Sequence, residues 1–239
     1  MPTHRWNWVA VGKHPAAKDY IRFGGVSPLL DAVARWSAKG YQQLHGGKDR
    51  QSKFYSWRFW LKGVKKGTLV CGLGRDSSDS IGRPYPLLIM GEGLLKGWEN
   101  DWTLLPKRLE NSWNRMEFVA AHRYDSAAAM EEKIRQFTSP ANDTVGLGEL
   151  PKEASSDSCG IDLTQCSRQI DQDGFGMIHF KAAYGVDPGL LAQGVHARLR
   201  ECCQEIPRGV FIGGTLQQTF LAVVQHPLVQ QDFVRLWTC

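Results

Sequence analysis

Short apolar runs of strand type alternate along this chain with longer stretches whose apolar residues recur at helical spacing. Trp6-Asn-Trp-Val-Ala-Val11 places Trp6 and Trp8 on one face and Val9 and Val11 on the other, which predicts a strand covered on both sides. The aromatic run Phe54-Tyr-Ser-Trp-Arg-Phe-Trp-Leu61 and the apolar runs Thr68-Leu-Val-Cys-Gly-Leu73 and Tyr85-Pro-Leu-Leu-Ile-Met90 read the same way. Strands are therefore expected at 6–11, 54–62, 68–73 and 85–90 in one central sheet. Gly176-Met-Ile-His-Phe-Lys-Ala-Ala183 also alternates, and strands at 209–213 and 219–224, joined by the turn Gly214–Gln218, should join the sheet or form a second small one.

Between these runs the period changes to that of a helix. Ser27-Pro28 is a good start, with Ser as N-cap and Pro at the first helical position. Leu29, Leu30, Val33, Trp36 and Leu44 then share a face; Gly40 weakens the helix and Gly46-Gly47 ends it. Thr103 is expected to cap a helix presenting Leu105, Leu109, Trp113 and Met116, and Ser126 one running to Phe137 with Ala127, Met130 and Ile134 inward. Asp187-Pro188 opens a helix with Leu190, Leu191, Val195 and Leu199. His226-Pro227 starts a last one in which Val229, Phe233, Leu236 and Trp237 pack back. Residues 138–158, rich in Thr, Ser, Pro, Gly, Asp and Glu, read as a linker and hold the one sub-domain boundary expected in a single domain of residues 1–239. The fold class is α/β, a layered sandwich with a central mixed sheet and helices on both faces.

Composition narrows the function more than the fold. With 29 basic against 24 acidic residues the net charge is +5, but the basic residues are scattered and their densest group, Lys62, Lys65 and Lys66, reads as a solvated strand end. No nucleic-acid partner is expected. There is no 18-residue apolar run and no apolar signal segment near Met1, so a cytoplasmic protein without membrane insertion is expected. The cysteines, Cys71, Cys159, Cys166, Cys202, Cys203 and Cys239, show no C-x-x-C spacing and read as reduced, packed thiols rather than a zinc site.

The densest chemistry lies in the polar loop Gly74–Gly82 between two strand-like runs. Its acids Asp76 and Asp79 could hold a divalent ion or work as an acid/base pair, although Asp and Ser also serve loops by bonding their own backbone. Gly12-Lys13 begins a second loop, which lacks the further glycine and the Lys-Ser/Thr ending of a nucleotide-binding loop. His14 in that loop is a candidate general base without a partner visible in the spacing. Arg58, inside the aromatic run, should reach a carboxylate or solvent at a strand end. Neither a Gly-x-Ser-x-Gly elbow nor a Cys/His nucleophile signature is present.

Three segments together resemble the TagF family, also called ImpM, which accompanies bacterial type VI secretion systems. Gly12-Lys-His-Pro-Ala-Ala-Lys-Asp-Tyr20 resembles its N-terminal Gly-Lys-x-Pro…Asp-Phe element, and Trp57-Arg-Phe59 its Trp-Arg-Phe strand. Ser78-Asp-Ser-Ile-Gly-Arg-Pro-Tyr-Pro-Leu87 is similar to its Ser-x-Asp-x-x-Gly-Arg-x-x-Pro-Leu block, with the Ser-to-Asp gap one residue shorter. Gly209-Val-Phe-Ile-Gly-Gly214, followed by His226-Pro-Leu…Phe233, loosely resembles the closing strand and helix.

The resemblance implies a non-enzymatic accessory protein: a post-translational, repressor-type regulator of type VI secretion that binds a forkhead-associated scaffold protein, alongside a threonine kinase and phosphatase pathway. The expected partner-binding residues are Lys13, Lys18, Asp19, Tyr20, Asp76, Asp79, Arg83 and Tyr85, with Asp76, Asp79, Lys13 and Lys18 as a mixed-charge rim and Tyr20 or Tyr85 as the aromatic anchor. No catalytic residue, cofactor or metal is expected. The alternative is a small phospho-ligand or metal-dependent enzyme that uses the Gly12–Asp19 and Asp76–Arg83 loops, with Lys13, Asp79 and Arg83 in a shared cleft. A third reading makes the blocks fold signatures, with Arg83 fixed by a buried bond to Asp79 or Asp19.

Overall fold

The two-residue period of β1 (Asn7–Gly12) sends Trp8 and Ala10 to one face of a sheet and Val9 and Val11 to the other. The computed structural model describes residues 6–45, 54–140, 163–181 and 188–238. The elements after β1 are β2 (Ile21–Gly24), α1 (Pro28–His45), β3 (Ser56–Lys62), β4 (Thr68–Arg75), β5 (Leu87–Leu94) and α2 (Leu105–Ala121). They are followed by α3 (Ala127–Arg135), α4 (Leu163–Asp173), β6 (Phe175–Lys181), α5 (Pro188–Cys202), β7 (Gly209–Gly214), β8 (Gln218–Val224) and α6 (Gln230–Thr238).

The strands form one sheet in the order β2-β1-β5-β4-β3-β7-β8-β6, so the C-terminal strands join the central sheet through the pairing of β3 with β7. Every pairing among the described strands is antiparallel. The layered sandwich expected from the sequence is therefore built on an antiparallel sheet rather than a mixed one. Hairpin and meander connections, β3-β4-β5 and β7-β8, reverse the chain at each step, and no parallel crossover is left to make.

Each face of the sheet carries its own core. Trp57, Phe59, Phe211 and Phe220 pack against Leu30, Val33 and Trp36 of α1 and Phe233, Leu236 and Trp237 of α6. On the other face Trp60, Cys71, Ile89 and Val210 meet Leu109, Trp113 and Met116 of α2, Met130 and Ile134 of α3, and Val195 and Leu199 of α5. Cys71, Cys166 and Cys203 are buried, the packed state that their spacing suggested.

Helix starts show where local sequence decides and where it does not. Ser27 caps α1, its Oγ accepting the Leu30 N–H at 3.2 Å, and Ser126 caps α3 by accepting from Ala129. Thr103, expected to cap α2, lies instead in a 3₁₀ turn, Trp102–Leu104, and the helix begins at Leu105 with Pro106 in its first turn. The last helix begins at Gln230, not at His226-Pro227. Asp232 reaches back to the Val229 N–H at 2.8 Å and fixes the start there, leaving Val229 50% exposed rather than packed. Neither β2 nor α4 was expected. The linker expected over 138–158 falls outside the described residues from 141 onward.

Candidate functional site

Gly12 of β1 and Arg75 of β4 both pair with Leu87 of β5, one from each side, so the loops that follow them leave the same end of the sheet. The first loop runs from Lys13 to Tyr20 and the second from Asp76 to Pro86. Gly12 has φ +124°, and a Cβ there would lie 2.0 Å from the carbonyl oxygen of Pro86. The glycine of the Gly12-Lys13 pair thus serves the close approach of β1 to the second loop, not a phosphate cradle.

Asp79 is the hub between the loops. It is 2% exposed, and its carboxylate accepts the N–H of Arg83 at 2.9 Å, the N–H of Ile81 at 3.2 Å and the Arg83 Nε–H at 2.6 Å. The Lys13 ammonium stands 3.0 Å away. Arg83 donates its Nη2–H to the Lys18 carbonyl at 2.6 Å and lies 3.6 Å from the Asp19 carboxylate, while the Ser80 N–H donates to the Ala17 carbonyl at 2.9 Å. Burial by itself pushes the Asp79 carboxyl up, but the Arg83 N–H, the Lys13 and Arg83 side chains and the Ile81 N–H outweigh it and hold the group well below the usual carboxylate range. Such a carboxylate is permanently ionised and fully engaged, which ill suits a general base.

Asp76 faces elsewhere. Its Oδ2 accepts the Tyr55 N–H at 2.9 Å and its Oδ1 the Trp237 Nε1–H at 3.0 Å, so it ties α6 to the entrance of β3. The exposed acidic rim expected of Asp76 and Asp79 is therefore absent: one is half-buried, the other buried, and both are turned inward because each satisfies backbone and side-chain donors. Lys13 is drawn in with Asp79, its side chain 13% exposed, which leaves Lys18, Asp19 and Arg83 as the charges on the rim. Among the described residues no group of three or more His, Cys, Asp or Glu could hold a metal ion.

His14 is a bridge rather than an open base. It is 1% exposed, its Nδ1 accepts the Ala16 N–H at 3.1 Å, and the ring faces the carbonyls of Ala120 and His122 at the end of α2. Burial first, and then the charge of Arg75, lower its pKa and keep the ring neutral. Arg58 finds the carboxylate expected of it: it grips Glu117 with two bonds, at 2.7 and 2.8 Å, and Asn114 with a third at 3.0 Å.

What faces outward is apolar. Tyr20, at the end of the first loop, is 48% exposed and Ile81, in the second, 67% exposed. The Tyr20 ring meets Tyr85 edge-on at 5.6 Å, and Tyr85 meets the buried Tyr41 of α1 at 5.0 Å. Tyr85 is thus a half-buried support, and Tyr20 is the exposed ring it steadies. Ile81 was overlooked in the sequence, although it is the one apolar residue between Gly74 and Gly82.

The type VI secretion system-associated TagF N-terminal domain matches residues 10–138, a span that contains both loops. The chain belongs to the TagF family. Its fold is similar to that of PA0076 from Pseudomonas aeruginosa PAO1, known from a crystal structure at 2.05 Å resolution. The similarity has a TM-score of 0.55 at 18% identity and covers 97% of this chain and 94% of the other. No functionally curated protein matches the sequence.

Proposed function

We propose that this type VI secretion-associated protein is a non-enzymatic, repressor-type regulator that acts after translation, in the cytoplasm, by docking on a forkhead-associated scaffold protein. The observation that carries the reading is the division of labour in the two loops. Lys13, Asp79 and Arg83 satisfy one another, while Tyr20 and Ile81 remain outside as apolar groups on a fixed frame. An enzyme or phospho-ligand site on the same residues would need a free carboxylate or cation at Asp79, and the hydrogen bonds there favour docking instead. An aromatic anchor ringed by Lys18, Asp19 and Arg83 has the makeup of a protein interface: an apolar centre and a charged rim. Among the described residues no helix is long and apolar enough to cross a membrane. The test is a pull-down of the purified forkhead-associated protein by the folded chain. Retention that survives washing supports the reading, and no retention of a folded scaffold counts against it.

A further inference from the structure

Lys13, Arg58 and Arg83 each pair with a carboxylate; Arg75, which the sequence reading passed over, forms no ion pair among the described residues, although the charges of Glu117 and Asp76 act on it. Arg75 closes β4 on the face that carries α2 and lines a cavity of about 350 Å³ beside the two loops. Its Nε is buried without a hydrogen bond, and its guanidinium carbon lies 4.8 Å from the centre of the Phe54 ring. The nearby carboxylates are committed elsewhere, Glu117 to Arg58 and Asp76 to Tyr55 and Trp237. Arg123, exposed on the opposite wall, makes no ion pair among the described residues, and the hydroxyls of Ser77 and Ser78 on the same wall as Arg75 make no hydrogen bond among them either. A half-buried guanidinium with unused donors is costly to keep unless something accepts from it.

We infer that this cavity binds a phosphate-class dianion, held by Arg75 and Arg123 with the Ser77 and Ser78 hydroxyls as further donors. Three nearby features oppose an anion: the carbonyls at the end of α2, Asp76 in the cavity lining, and Glu117; the two carboxylates keep their charge but accept their hydrogen bonds from other groups. The carbonyls of Ala120 and His122 at the negative end of α2 face the His14 ring, and both oxygens of Asp76 accept from Tyr55 and Trp237. Arginine suits the role because its planar fork can give two parallel bonds to one phosphate. The cavity is larger than a phosphate group needs, and Phe54, 45% exposed, supplies an apolar wall for the organic part of a monoester. The site is separate from the Tyr20 surface, so its failure would leave the docking reading intact.

The experiment is a calorimetric and thermal-shift titration with inorganic phosphate, phenyl phosphate and, as a neutral control, phenol. Both phosphates should stabilise the protein saturably, as ligand linkage requires, and phenol should not. Arg123→Ala should weaken binding about tenfold and Arg75→Met should abolish it, since each removes a charge-assisted pair. If Arg75→Met fails to fold, Arg123→Ala combined with Ser78→Ala carries the test. Phenyl phosphate binding more tightly than phosphate marks an organic monoester as the ligand, and equal binding marks free phosphate. No saturable response to either at about 10 mM, or the same response in the Arg123 variants as in the parent, overturns the proposal.

Discussion

The indole Nε1–H of Trp60, on β3, donates to Nε2 of His196, on α5, at 3.0 Å, and both side chains are wholly buried. Because Nε2 accepts, the ring proton sits on Nδ1, which donates to the Thr103 carbonyl at 3.0 Å. Trp98 packs edge-on against Trp60, and Trp102 against His196. One neutral imidazole thus ties α5 to the sheet and to the turn before α2, with no nitrogen left over. Burial lowers its pKa to about 4, against a smaller upward pull from the Thr103 carbonyl.

This makes stability depend on pH in a definite direction. Above about pH 6.5 the ring is neutral in both folded and unfolded chains and contributes no slope. As pH falls from about 6.5 to about 4, only the unfolded chain takes the proton, so stability is lost over that window, on the order of 3 kcal/mol in all. Urea denaturation at pH 7 and pH 4.5 should show the loss, and His196→Gln should flatten it. A parent protein with equal stability at the two pH values would contradict the assignment.

At Gly40 two effects of opposite sign compete. Alanine is the better helix former by about 1 kcal/mol. However, a Cβ there would lie 2.4 Å from Cβ of Phe233, whose ring is stacked on Trp237 at 4.5 Å and cannot step aside. Overpacking of this kind costs about 1–3 kcal/mol, so Gly40→Ala should lower stability despite its propensity. Adding Phe233→Leu should not rescue it, because leucine keeps the Cβ and Cγ that the new methyl meets; a more stable Gly40→Ala protein would mean that α1 and α6 pack less tightly.

Asp79→Asn keeps the shape of the hub and removes the charge that Lys13 and Arg83 share. The amides of Ser80 and Tyr85, bonded to the carbonyls of Ala17 and Ser77, should then exchange faster, while those of β5 keep their protection. Hydrogen exchange read residue by residue checks this. Unchanged protection at Ser80 would mean that the backbone path of the second loop holds without the ion pairs.

The alternation of apolar residues made most of the sheet visible in the sequence, because β1, β3, β4, β5, β7 and β8 each bury both faces. β2 was missed because Ile21–Gly24 is a four-residue edge strand with only Ile21 buried, too short for a period to register. α4 shows just Leu163, Cys166 and Ile170 as its apolar stripe, among polar residues that resemble the linker before it. In the site, Lys13, Asp79 and Arg83 meet as ion pairs, but the sequence could not tell which way each carboxylate turns. Asp76 and Asp79 are neighbours in the chain, yet one serves Trp237 of α6 and the other Arg83. Arg75 went unnoticed because its lack of a hydrogen-bonded carboxylate is a property of the fold, visible only once Glu117 is seen bonded to Arg58.

The central claim is that the apolar surface beside the Asp79 hub docks on the scaffold, and Tyr20 tests it most directly. Its ring rests on Tyr85 with half its surface free, so Tyr20→Ala removes an anchor while the hub below stays closed. Isothermal titration against the forkhead-associated protein should show binding weakened at least about thirtyfold, with melting unchanged; Lys18→Ala should weaken it less than about fivefold and mainly slow association. A folded Tyr20→Ala protein that binds the scaffold as tightly as the parent would contradict the account.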